Sequence, residues 1–210
     1  YLCRPPERSA RATRKTRPPL FEYIRQLIFV TLSKKSLDRV LKQFRKLPWA
    51  ENEAYLIKCL LNVSKGRYNH MHLLASLISG LNRYHDTLGV RLVDKLLQEF
   101  RAGLEVQVVK EQQRMVGNAR LLGELYNYGV FDSPIIFHAL YCIITTTESA
   151  QTLPDDPTDC FRITLVCTLL DTCGQFFTRG STRRRLDLFL LYFQQYILTR
   201  TAVPMEIEFM

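Results

Sequence analysis

Three sets of residues in this 210-residue chain have types and spacings that could do chemistry. The first is a run of carboxylates, Asp86, Asp94, Glu99, Glu105, Glu111 and Glu124, interleaved with Arg91, Lys95, Arg101, Lys110, Arg114 and Arg120. Six acids against six bases sum to zero, and the bland reading is a solvated face laced with pairs. The second set is basic: Arg14, Lys15 and Arg17 near the N-terminus, then Arg179, Arg183, Arg184 and Arg185. Such clusters can neutralise phosphates, each contact adding salt-dependent affinity to RNA. They lack the interleaved aromatics of a single-strand stacking platform, and a solvated repeat edge is the alternative. The third set is His70, His72, His85 and His138 with six cysteines. Residues i and i+2 on a helix point to different faces, so His70 and His72 cannot share a ligand, and His85 and His138 stand alone. Without CxxC pairs or matched His spacing, the cysteines read as buried, reduced thiols, and no metal or cofactor site is expected. GxGxxG, GxxxxGK[ST], HExxH and GxSxG are all missing, so the chain is expected to be non-catalytic.

The elements that must position these residues read as helices nearly throughout. Pro18-Pro19 opens the first, and Ile24, Leu27, Ile28 and Thr31 follow one face of it. Leu37, Val40, Leu41, Phe44 and Leu47 repeat the spacing behind a Ser33 or Ser36 cap. Further stripes are Tyr55–Val63, Met71–Ile78 (ending at Gly80 or soon after) and Leu92–Phe100, which Gly103 is expected to close. A sixth helix is predicted from about Val106 to Tyr128, with Gly129 ending it. A seventh starts at Asp132 or Ser133 with Pro134 in its first turn. Ser149–Pro157 reads as a loop, followed by Phe161–Phe177, a break at Gly180 and Leu186–Leu198. The pairs 21–47, 50–84, 87–129 and 132–177, plus a last helix from 182, recur at intervals of about 40 residues, the period of stacked helical hairpins. A globin-like or bundle arrangement fits the same periodicity. On the fifth helix, Asp94 lies about 130° from the centre of the apolar arc and Glu99 about 90° on the other flank. Asp94 should therefore face solvent, and Glu99 should sit at the boundary within reach of Lys95.

The charge is unevenly placed. Residues 1–20 hold +5 of the net +9, leaving only +4 for the other 190, so a basic arm or linker precedes a near-neutral body at 21–210. No apolar run approaches the ~18–20 residues of a membrane span, and no signal peptide is read at the N-terminus. The absence of an initiator Met suggests a fragment of a longer protein, truncated near its C-terminal end. Reduced thiols suit the cytoplasm.

Several segments carry more than helical character. Arg17-Pro18-Pro19-Leu20-Phe21-Glu22-Tyr23-Ile24-Arg25, Arg45-Lys46-Leu47-Pro48-Trp49 and Leu122-Gly123-Glu124-Leu125-Tyr126-Asn127-Tyr128 resemble the middle-domain family of eukaryotic initiation factor 4 gamma. Leu169-Leu170-Asp171-Thr172-Cys173-Gly174-Gln175-Phe176-Phe177 is the most specific piece, and is similar to the third such domain of the up-frameshift scaffolds of nonsense-mediated mRNA decay. The resemblance implies an all-α fold, a right-handed, HEAT-like solenoid of about five antiparallel helical hairpins. It also implies a non-catalytic scaffold acting in the cytoplasm, with some perinuclear or nuclear passage. Its partner would be the RNA-recognition-motif domain of up-frameshift protein three, which presents a basic surface, and the decay helicase would be contacted outside this fragment. By position, the family's acidic docking region falls on Asp94, Glu99 and Glu105, with Glu105 at the edge of the helix after Gly103. Direct RNA binding through the arm and Arg183–Arg185 is the alternative.

Overall fold

The computed structural model describes residues 18–63, 68–106, 109–145 and 159–201. The helices are α1 (Pro19–Gln26), α2 (Leu37–Phe44), α3 (Trp49–Val63), α4 (Met71–Asn82), α5 (Asp86–Val106), α6 (Val109–Asn127), α7 (Ser133–Thr145), α8 (Phe161–Cys173) and α9 (Gly180–Thr201). No strand occurs among the described residues. Pro19 sits in the first turn of α1, where its missing N–H costs nothing. Gly129, just past α6, and Gly180, which opens α9, adopt φ of 67° and 63°, the left-handed conformation that glycine reaches without strain. Residues 1–17 of the arm read at 1–20, and the predicted loop at 149–157, lie outside the described residues, while Pro19 and Leu20 belong to α1.

Helices pack in two layers. α1, α3, α5, α7 and α9 follow one another in the first, α2, α4, α6 and α8 in the second, and each hairpin joins the layers. This is the stacked arrangement that the 40-residue recurrence predicts, with the expected pairs α1–α2, α3–α4, α5–α6 and α7–α8 and a last helix α9. A continuous core runs between the layers, from Ile24 and Phe44 through Leu74, Leu96 and Leu122 to Phe177 and Phe189, each at most 3% exposed. Cys59 and Cys173 belong to it, and none of the five cysteines among the described residues forms a disulfide.

Three details depart from the sequence reading. α1 continues as one wide turn of π-helix, Leu27–Thr31, before the chain straightens at Leu32. α5 does not end at Gly103 but runs on to Val106, so α6 begins at Val109. Gly103 is there for proximity: a Cβ on it would lie 2.6 Å from Met115 Sδ of α6. The third is Glu105, which therefore sits on the last turn of α5 and not on the following helix.

The tightest seam joins α6 to α8. A Cβ on Gly123 would meet Thr172 Cβ and Cγ2 at 2.8 Å, and Thr172 is held in its rotamer by a 2.7 Å bond from Oγ1 to Thr168 O. Asn127 Nδ2 closes the same seam on Thr172 O at 2.9 Å. Gly123→Ala should therefore lower stability by about 1–3 kcal/mol in urea denaturation, where an ordinary exposed helical Gly→Ala would raise it.

Candidate protein-binding surface

α5 is central in its layer, between α3 and α7. Leu88, Leu92, Val93, Leu96, Phe100 and Leu104 turn inward and are buried. The opposite side presents Thr87, Val90, Arg91, Asp94, Gln98, Arg101 and Glu105, all exposed. Asp94 and Glu105 lie eleven residues apart, about 16 Å along the axis and about 20° around it, so they belong to one row. Neither makes a hydrogen bond or ion pair with another described residue. Asp94 faces solvent as its position on the helical wheel predicts.

Glu99 lies elsewhere. About 140° round the helix from Asp94, it points along the α5–α6 seam. One carboxylate oxygen takes the Arg114 guanidinium, and the other accepts Asn118 Nδ2 at 2.9 Å. The expected pairing with Lys95 does not form, because Lys95 Nζ turns to Gln98 Oε1 at 3.1 Å. The helical wheel cannot foresee this: Arg114 and Asn118 reach Glu99 only because α6 folds back on α5. Asn118 is 1% exposed, and the carboxylate is one of the groups that satisfy its buried side chain.

The sequence reading missed a second carboxylate, Glu53 on α3, whose side chain is 8% exposed. It accepts Arg91 Nη1 at 2.7 Å and Thr87 Oγ1 at 3.1 Å, tying α3 to α5. A signal was present: Glu53 falls three residues before Leu56 and seven before Leu60, on the apolar stripe of α3, where an acid needs partners. Between α3 and α5 a shallow groove is lined by Ala54, Ile57, Arg91, Asp94, Lys95 and Gln98.

The histidines are less isolated than their spacing implies. His85 stacks on Trp49 with ring centroids 3.7 Å apart, and His138 Nε2 on α7 lies 2.9 Å from Arg101 Nη2. No group of three metal-ligating side chains gathers among the described residues. The Cys173 thiol, pushed up to about 12 by burial, stays protonated in the core. Arg183, Arg184 and Arg185 are exposed in the opening turns of α9, where the helix dipole disfavours cations and the first turn holds no acid. Arg14, Lys15 and Arg17 lie outside the described residues. No described helix is long and apolar enough to cross a membrane.

Comparison with known proteins adds the family. A MIF4G domain model matches residues 22–210. The chain is 51% identical over 211 residues to "Regulator of nonsense transcripts UPF2" of Arabidopsis thaliana, covering 100% of this chain and 18% of that protein. It is 42% identical over 224 residues to "Regulator of nonsense transcripts 2" of Homo sapiens, again 100% of this chain and 18% of that protein. To "Nonsense-mediated mRNA decay protein 2" of Schizosaccharomyces pombe it is 25% identical over 213 residues, 98% of this chain and 20% of that protein. The chain thus spans about a fifth of the length of the curated relatives it matches.

The geometry separates the three acids by role. Glu99→Ala removes the carboxylate that joins Arg114 and Asn118 of α6 to α5 and should cost about 1–3 kcal/mol in chemical denaturation. Asp94→Ala should stay within about 0.5 kcal/mol of the parent in the same measurement.

Proposed function

The chain belongs to the MIF4G domain family, and from that premise we propose that it is the third such domain of a nonsense-mediated mRNA decay regulator, acting as a non-catalytic adaptor. Its partner in this reading is the RNA-recognition-motif domain of up-frameshift protein three, received on the exposed side of α5. The observation that carries the proposal is the row of Asp94 and Glu105, two outward carboxylates without an ion-pair partner among the described residues. Unneutralised acids on a rigid helix steer a basic surface to its encounter and set its register. Glu99 contributes from behind, holding α6 against α5 and so keeping the helix straight beneath its partner. The decay helicase is contacted outside these residues, so the domain joins the partner to the rest of the regulator.

A second reading, direct RNA binding, is favoured by one observation. Arg183, Arg184 and Arg185 crowd the end of α9 where local electrostatics oppose them, as expected of cations kept for an external anion.

The experiment is a calorimetric titration with the RNA-recognition-motif domain. Asp94→Lys combined with Glu105→Lys should weaken binding by about 30-fold or more while circular dichroism keeps the helix content, the scale expected when desolvated charge pairs are lost. Unchanged affinity overturns the docking site. Arg184→Glu with Arg185→Glu should leave that affinity intact, and loss of salt-sensitive RNA binding in this variant would establish the second reading.

A further inference from the structure

The outer row of α5 does not lack cations. Arg91 stands three residues before Asp94 and Arg101 four before Glu105, spacings at which side chains on one helix face meet and pair. Neither pair forms. Arg91 leans toward α3, where Glu53 takes its Nη1 at 2.7 Å and is braced by Thr87 Oγ1 at 3.1 Å. Arg101 leans the opposite way, toward α7, with Nη2 2.9 Å from His138 Nε2. A guanidinium can only donate, so in this pair the ring nitrogen is the acceptor. Lys95, the remaining cation on this side, is engaged by Gln98 Oε1 at 3.1 Å. The three cations described on this side of α5 are all turned aside from the two acids, two of them by groups on flanking helices.

We infer that Glu53 and His138 are positioning residues of the docking surface: they draw Arg91 and Arg101 toward the flanking helices and leave Asp94 and Glu105 open to a basic protein. The inference rests on the docking role of α5 proposed above. It explains why six acids and six bases in this stretch do not make a self-neutralised face. α5 itself carries four acids and three bases; two of the bases, Arg91 and Arg101, are spent against α3 and α7, while Asp94 and Glu105 stay outward. Arg91 keeps 59% of its side chain exposed, so once released it has room to swing along the helix.

Two double-mutant cycles test this, each read by affinity for the RNA-recognition-motif domain and by thermal unfolding. Glu53→Gln should weaken binding about two- to five-fold, the effect of a surface pair newly formed between Arg91 and Asp94. Arg91→Gln should then recover the loss, strengthening binding more in the Glu53→Gln background than in the parent protein. His138→Ala and Arg101→Gln should behave alike at the other end of the row. His138 is exposed, so its cycle decides the matter if Glu53→Gln fails to fold. A role in stability alone would lower the unfolding temperature without rescue, and point charges acting at a distance would give additive effects; either result overturns the inference. If Asp94→Lys with Glu105→Lys leaves affinity unchanged, the docking reading itself falls. If that reversal abolishes binding while both cycles are additive, only the positioning role falls.

Discussion

A helical hairpin of this length has an apolar face that it cannot bury by itself, and the architecture follows from that constraint. Each helix here finds cover on the helix two places along the chain, while helices of the other layer supply the facing wall. The core is accordingly a ribbon and not a ball, continuous from Ile24 to Phe193. Where two helices must come closest, the chain removes a side chain: Gly80 against Leu41, Gly103 against Met115, Gly123 against Thr172. Such seams bring together polar groups far apart in sequence. Ser79 donates to Tyr128 O at 2.9 Å, and the buried Arg162 donates from Nη1 to Ile143 O at 2.7 Å.

Much of the architecture was legible in the sequence because 3.6-residue periodicity and the punctuation of Pro19, Gly129 and Gly180 are local signals. Gly103 misled for a physical reason. A glycine that ends a helix and one that admits a neighbouring helix look alike in a single sequence, and only the arrival of Met115 tells them apart. The π-turn at Leu27–Thr31 had no local signal, since its residues carry the apolar spacing of an ordinary helix.

The proposed docking surface was legible in part. Its outward acid, Asp94, follows from the helical wheel, whereas the partners of Glu99, Arg91 and Arg101 come from other helices and are set by how the hairpins stack. Formal charge gives little guidance at that scale. The net +9 of the chain owes more than half to residues 1–20, and the side of α5 turned outward offers open carboxylates. What matters to a partner is which charges have been spent internally, and tertiary packing decides that.

The place of α5 in its layer has a further consequence. In a one-dimensional stack, disturbance passes only between neighbours, so fraying at α1 or α9 must cross at least one intervening helix of either layer before it reaches α5. The middle of the ribbon is thereby insulated on both sides. Its ends can breathe, or be pulled by whatever adjoins them, while the row of Asp94 and Glu105 keeps its spacing.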